Sequence, residues 1–222
     1  MPSKRAPKPE IDAVVAGHIC LDILPAFPPA RGRTIGEWLI PGKLINIGNT
    51  VMSTGGAVSN TGLGLVQLGL KTALMGKIGE DYFGQGIIAK LNEYGAGSGM
   101  IRVRGESTSY TIVLAPPGID RIFLHHPGAN DTFAARDINY DLVATARLFH
   151  FGYPPLMQRM YSRGGRELLS LYRRCRKLGV TTSLDMSLPD PESASGKTDW
   201  LALLGALLPS VDLFVPSAEE IM

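Results

Sequence analysis

GGAVSNTGLGLVQLG at residues 55–69, followed by TALMGKIGEDYFG at residues 72–84, is the stretch that decides the fold. Two glycines open it, helical spacing follows through Leu63, Val66 and Leu68, and Gly69 stops the run. This predicts a helix over residues 60–68. Residues 72–78 read as a strand, and residues 82–94 as a second helix with Asp81 as N-cap and Gly95 just past its end. Helix, strand and helix at this spacing imply βαβ units on a parallel sheet. Gly62 and Gly64 each weaken the first helix by about 1 kcal/mol relative to alanine, which implies that something packs closely there.

Outward from this centre the rhythm continues. Residues 11–16 (IDAVVA) form an apolar run ending at Gly17, the pattern of a buried strand. Residues 148–153 and 180–185 read as strands around a helix over 166–178 that Gly179 closes. A helix over 201–208 ends at Pro209, and 211–215 reads as a last strand. Two regions break the alternation. Residues 25–42 are rich in proline and glycine, which excludes regular helix, and residues 43–53 alternate only weakly. Residues 109–115 and 121–125 flank the turn-rich Pro116-Pro117-Gly118-Ile119-Asp120, a hairpin signal. Both point to a small β layer over one end of the sheet. Gly95–Gly99 follows a helix and reads as a connecting loop. Ser217 with Glu220 three residues on matches a capping box, so a further helix is announced just before Met222 and the chain reads as part of a longer domain.

Composition narrows the function classes. The 222 residues are 45% hydrophobic and 19% charged, enough apolar surface for one large folded domain and too much for a disordered chain. Twenty-two basic against 20 acidic side chains leave a net charge of +2, which argues against binding nucleic acid through many phosphate contacts. Cys20 and Cys175 are the only cysteines, excluding a disulfide framework and reading as buried thiols in a reducing compartment. Residues 1–10 are a basic, proline-rich flexible tail with no apolar stretch behind them, so no secretory signal is expected. The apolar run 200–208 is far short of the ~18 residues a membrane span needs. A cytoplasmic protein that does not enter a membrane is expected.

Ligands of open α/β sheets bind at the carboxyl ends of the strands. Asp22, in Gly17-His18-Ile19-Cys20-Leu21-Asp22, lies just beyond the first strand. A carboxylate there can accept from two hydroxyls of a sugar or polyol, or it can be a turn aspartate bonding its own backbone. Gly55 and Gly56 let backbone N–H groups approach a bound oxygen at a helix start, and Asn60 adds a donor and an acceptor; the alternative is a plain glycine turn with a polar cap. The stretch is neither a P-loop nor a dinucleotide GxGxxG. His125 and His126 are adjacent on a strand, so they point to opposite faces and do not read as a metal pair. Arg173-Arg174-Cys175-Arg176-Lys177 reads as the solvated last turn of a helix. No catalytic triad, paired catalytic carboxylates or zinc motif stands out.

Residues 55–84 closely resemble the N-terminal signature of the PfkB family of sugar kinases, which have the ribokinase-like fold. Other segments follow in the family's order. GHICLD at 17–22 is similar to its first-strand sugar-binding segment, and residues 108–130 (TSYTIVLAPPGIDRIFLHHPGAN) to its β lid and the Gly-Ala-Asn after it. SLD at 183–185 and FVPSAEE at 214–220 resemble later strand ends. The resemblance implies an α/β, ribokinase-like Rossmann-type sandwich over residues 11–222 with a mostly parallel sheet, lid segments at about 19–53 and 108–126, and the C-terminal part of the fold missing. It implies that Asp22, Gly55, Gly56 and Asn60 hold sugar hydroxyls, with Tyr153 as a further contact. Glu220 would match the glutamate of the family's Asn-x-x-Glu motif around metal and phosphates, although Ser217 stands where the family has asparagine. Val58 also departs from the small residue usual there.

The implied reaction is ATP-dependent phosphorylation, with Mg²⁺, of a sugar or nucleoside hydroxyl. The family's Gly-Ala-Gly-Asp segment, which carries the anion hole and the catalytic aspartate, does not occur in these residues. No catalytic residue is therefore assigned, and the chain alone is expected to be inactive. Lids of some relatives pair between two subunits, which implies a homodimer. Two rivals stand beside this reading: a non-catalytic sugar-binding or regulatory domain, and a Rossmann-type oxidoreductase, against which the missing GxGxxG counts.

Overall fold

In a computed structural model the described residues are 10–29, 32 and 34–220. Residues 1–9 of the expected tail at 1–10 and the last two residues lie outside them. The main sheet grows around β1 (Ile11–Gly17), whose every side chain from Ala13 on is buried. Its neighbours are β4 (Thr72–Gly79) on one side and β8 (Ala146–Gly152) on the other, both parallel to it. Further out lie β5 (Met100–Val103), β9 (Thr181–Asp185) and β10 (Leu213–Phe214), giving the order β10-β9-β8-β1-β4-β5 with every pairing parallel. A central parallel strand must be covered on both faces, and the alternation along β1 shows it. Val15 joins a core with Leu74, Ile78, Ile87 and Leu91, while Val14 and Ala16 join one with Phe149, Phe151, Leu168 and Tyr172. The first core is capped by α2 (Ala57–Gln67) and α3 (Tyr82–Asn92). The second is capped by α4 (Tyr140–Ala144), α5 (Gln158–Leu178) and α6 (Trp200–Leu207). This is the parallel-sheet α/β sandwich, covered on both faces, that the resemblance implies.

The segments that broke the strand–helix rhythm build a second sheet. It contains β2 (Cys20–Pro25), β3 (Thr50–Gly55), β6 (Tyr110–Leu114) and β7 (Ile122–His126) in the order β3-β2-β6-β7. β2 pairs antiparallel with β3 and parallel with β6, and β6–β7 is the expected hairpin. Because β2 leaves β1 after only two residues, the second sheet stands over the carboxyl end of the first.

Several boundaries differ from the sequence reading, each for a local reason. The first long helix begins at Ala57 rather than residue 60, because Gly56 turns the chain and exposes the helical amides at once. Residues 25–42 do contain one helical turn, α1 (Ile35–Trp38), where the Glu37 carboxylate accepts the Thr34 N–H at 2.6 Å. The helix expected from residue 166 is preceded by a shorter helical piece within α5, separated from it by non-helical Ser162, Arg163, Gly164 and Gly165. Strand β5 went unpredicted because it has only four residues and a charge, Arg102, among them. The last strand is Leu213–Phe214 only. The capping box at Ser217 is half formed: the Glu220 carboxylate accepts from the Ser217 N–H at 2.7 Å, and the described residues there make a turn.

Asp81 does cap α3, accepting from the Gly84 N–H at 2.8 Å and the Thr108 N–H at 2.7 Å. Gly62 packs as expected, since a Cβ there would lie 2.3 Å from the Leu74 Cδ2. Gly64 does not, having no atom within 4 Å of a built Cβ. Gly64→Ala is therefore expected to raise stability by about 0.5–1 kcal/mol, read as a higher denaturant midpoint with an unchanged slope. Among the described residues no helix is long and apolar enough to cross a membrane.

Candidate functional site

The carboxyl ends of β1, β8 and β9 and the facing side of β2 meet where the chain turns from one sheet into the other. Asp22 sits in β2, opposite Ser53 of β3 and Thr111 of β6. Its carboxylate lies on the bare Cα of Gly55, since a Cβ built there would fall 2.2 Å from Oδ2. The backbone at Gly55 is ordinary; closeness of approach, not torsion, demands glycine. Gly56 demands it twice over. Its φ of 83° and ψ of 166° belong to a region essentially restricted to glycine, and a Cβ would lie 2.4 Å from the His18 carbonyl oxygen.

Burial raises the Asp22 carboxyl above its ordinary range, and hydrogen bonds from Cys20 and Thr111 offset this only in part. The Cys20 thiol stands 3.2 Å from Oδ1. An ionised carboxylate has about four lone-pair positions, so two such donors leave acceptor capacity for a ligand. Among the described residues no backbone N–H bond to this carboxylate is formed, so it is not a turn aspartate satisfied by its own backbone.

Asn60, in the first turns of α2, is exposed and lies beside the Tyr153 phenol, partly offsetting the upward shift that burial gives it. Tyr153 has left the strand predicted to contain it; β8 ends at Gly152, and Tyr153 adopts a left-handed φ of 63°. For a bulky residue this costs on the order of 1–3 kcal/mol and marks a position fixed by its surroundings. Its N–H donates to the Asp185 carbonyl at 3.2 Å, and its ring centroid lies 6.1 Å from that of His18. Asp22, Gly55, Gly56, Asn60 and Tyr153 thus converge around His18.

Glu220 lies close enough to Tyr153 and Asp185 to disfavour the ionised form of each. Burial, with repulsion from Glu220, raises the Asp185 carboxyl to about 6. Stability from this group is complete below its unfolded pKa near 4 and lost as pH rises through about 6. Discounted for the half-exposed position, the penalty at pH 7 is about 1 kcal/mol. Asp185→Asn is expected to gain that amount at pH 7 and nothing at pH 4, as paired denaturant titrations would read.

Sequence reading missed His18, Thr111, His125 and Asp185 as members of the cluster. Asp185 carried a signal, being the last residue of a parallel strand. Thr111 and His125 join only through strand register, since Thr111 faces Asp22 on one side and His125 on the other, while His18 lies in the turn between β1 and β2 and meets His125 across it. His125 and His126 do point apart: His125 meets His18, and His126 bonds the Ser107 hydroxyl at 2.7 Å. Among the described residues no group of three or more His, Cys, Asp or Glu is placed to hold a metal ion. Cavities of about 520 and 600 Å³ open at the break in α5 and share no lining residue with the cluster.

A family model described as pfkB family carbohydrate kinase matches residues 33–222, and so takes in β3, α2 and every later element. The chain belongs to the pfkB carbohydrate kinase family. Among curated relatives, an uncharacterized sugar kinase of Archaeoglobus fulgidus is 28% identical over 160 residues, covering 72% of this chain and 59% of that one. Fructokinase-2 of Solanum lycopersicum is 31% identical over 139 residues, covering 61% of this chain and 39% of the fructokinase. The chain therefore spans only 39–59% of the length of these relatives. Solved structures agree on the fold of this pfkB chain. A PfkB protein from Polaromonas sp. JS666 superposes with a TM-score of 0.74 at 20% identity, covering 95% of this chain and 67% of that one. Fructokinase with bound ATP from Xylella fastidiosa gives a TM-score of 0.71 at 20% identity, covering 94% and 59%. Arabidopsis thaliana ribokinase complexed with ribose and ATP gives 0.70 at 20% identity, covering 95% and 61%.

Proposed function

We propose that this chain is the acceptor-binding portion of an ATP-dependent carbohydrate kinase that phosphorylates a hydroxyl of a sugar or nucleoside. The observation that carries the reading is the Asp22 carboxylate, held against a bare Gly55 Cα with acceptor capacity unused. In this reading Asp22 accepts from two acceptor hydroxyls, and the amides at Gly55 and Gly56 approach a bound oxygen. Asn60 and Tyr153, side by side, present one amide and one phenol along the next part of the ring. The second sheet acts as a lid that excludes water competing for the phosphoryl group. Its exposed Met52 and Leu124, which register places on one face with Ile23 and Ile112, away from Asp22, offer the apolar face on which two lids would pair in a homodimer.

Mg²⁺ takes one or two carboxylates together with phosphate oxygens. Asp185 and Glu220 would hold it, because a nearby cation would relieve the repulsion that helps hold the Asp185 proton. ATP with Mg²⁺, when bound, supplies the phosphoryl group. No general base is assigned among these 222 residues, which contain no Gly-Ala-Gly-Asp segment. The reading extends to a cytoplasmic enzyme whose remaining nucleotide site lies outside this chain.

The test has two halves. The purified 222-residue chain is expected to bind a sugar from a hexose, pentose and nucleoside panel but to transfer no phosphoryl group from ATP. Turnover by this chain alone would contradict the missing-base argument. Binding of a nicotinamide cofactor instead of any sugar would favour an oxidoreductase.

A further inference from the structure

The lid and the β1–β2 turn are joined by a line of polar side chains that the proposed binding role of Asp22 does not explain. Register places Asp22, Thr111 and His125 side by side across β2, β6 and β7, and residues directly opposite share one face of a sheet. Thr111 Oγ1 lies 3.0 Å from His125 Nδ1, and His125 Nε2 lies 3.4 Å from His18 Nε2. Thr111 and His18 are buried, His18 to 2% exposure. His18 Nδ1 is buried without a hydrogen-bond partner, and a Cβ on Gly56 would come within 2.6 Å of it.

Proton counting gives this line a direction. A threonine hydroxyl has one proton, and an ionised carboxylate only accepts. The Thr111 proton goes to the Cys20 sulfur at 3.7 Å, and the Cys20 thiol proton goes to Asp22 Oδ1 at 3.2 Å; the Thr111 oxygen is left to accept from His125 Nδ1–H. A neutral imidazole protonated at Nδ1 has a bare Nε2. The two facing Nε2 atoms need one proton between them, so His18 Nε2–H must supply it. His18 Nδ1 is then a bare acceptor, which matches its lack of a partner. Burial lowers His18 to about 3 and His125 to about 4, so both rings are neutral at pH 7, as this count requires.

We infer that Thr111, His125 and His18 are positioning residues: a one-way hydrogen-bond chain, His18 to His125 to Thr111 and on through the Cys20 thiol to Asp22, that aims the Asp22 carboxylate and pins the lid strand β7 to the β1–β2 turn. The inference rests on the reading of Asp22 as the acceptor-hydroxyl ligand. A merely structural chain would hold the lid and leave acceptor binding untouched when lightly altered. A positioning chain ties the acceptor to the tautomer of a ring that never touches it.

Two measurements test this. Long-range ¹H–¹⁵N spectra of the wild-type chain at pH 7 should show His125 as the Nδ1–H tautomer and His18 as the Nε2–H tautomer. The same tautomer at both rings, or a charged ring, overturns the proton order without any variant having to fold. In the full-length kinase, Thr111→Val should raise the acceptor KM about tenfold with the ATP KM unchanged, and Thr111→Ser should restore it, as expected when one hydrogen bond behind the carboxylate is lost. An unchanged acceptor KM in Thr111→Val, or equal losses for both substrates, overturns the positioning role. If the wild type binds no sugar, the reading of Asp22 fails and the positioning role falls with it, while the tautomers still decide the proton order.

Discussion

Asp22→Asn lowers the affinity for the acceptor sugar about a hundredfold and leaves the melting temperature unchanged or higher. The binding loss follows from the two hydroxyl bonds assigned to the carboxylate. Each bond to a charged group is worth about 1.5–3 kcal/mol, and asparagine keeps one acceptor oxygen, so about 3 kcal/mol disappears. The stability half comes from the sign of the Asp22 shift. Its carboxyl is raised by burial, so its stabilising contribution is complete at low pH and lost as pH rises through the folded pKa. Removing the charge therefore relieves a cost at pH 7. Asp81 and Asp212 behave in the opposite way. Burial raises Asp81 but the bonds from Thr108 and Gly84 outweigh it, while backbone and side-chain bonds from Thr182 lower Asp212. Those two aspartates hold the fold together; Asp22 burdens it. Calorimetric titration with the best-binding sugar, beside thermal melts of both proteins, reads the two halves separately. A lower melting temperature with intact affinity would make Asp22 a turn aspartate after all.

The second large effect is on stability. Gly56→Ala adds one methyl group where φ is 83°, 2.4 Å from the His18 carbonyl oxygen and 2.6 Å from its Nδ1. Backbone strain of ~1–3 kcal/mol and overpacking of ~1–3 kcal/mol combine to a loss of about 3 kcal/mol. For a domain of this size that is a fall of roughly 10 °C in melting temperature. The neighbouring atoms are backbone and a buried ring, so they cannot swing aside as the end of Leu74 can beside Gly62. A melting temperature within 2–3 °C of wild type, a range of about 1 kcal/mol, would mean that this turn is looser than the packing implies.

The parts of the fold that were legible in the sequence are those whose signal is local. β1 and β4 are runs buried on both faces, Asp81 and Gly95 punctuate α3, and the proline-rich turn marks the β6–β7 hairpin. What escaped was set by partners far along the chain. β5 gains its place only by lying beside β4, and the helical piece before residue 162 ends at a left-handed turn that its periodicity does not show. The site divides in the same way. Asp22, Gly55, Gly56 and Asn60 lie in two short segments whose glycines and polar residues are visible as such, and the resemblance to a family ordered them. Thr111 and His125 become neighbours of Asp22 only through register across three strands, 89 positions along the chain in the case of Thr111 and 14 more for His125. Tyr153 was named but misplaced, because a tyrosine after an apolar run reads as more strand until the left-handed turn is seen.

The central claim is that Asp22, Gly55, Gly56 and Asn60 form one acceptor-hydroxyl site. Titration of the ¹⁵N-labelled chain with a panel of hexoses, pentoses and nucleosides, followed by amide shifts, tests it most directly. The account predicts saturable shifts for at least one sugar at the Gly55, Gly56 and Asn60 amides and at the Asn60 side chain, all lost in Asp22→Asn. Shifts confined to other parts of the chain, or shifts at these amides that persist without the Asp22 carboxylate, would contradict it.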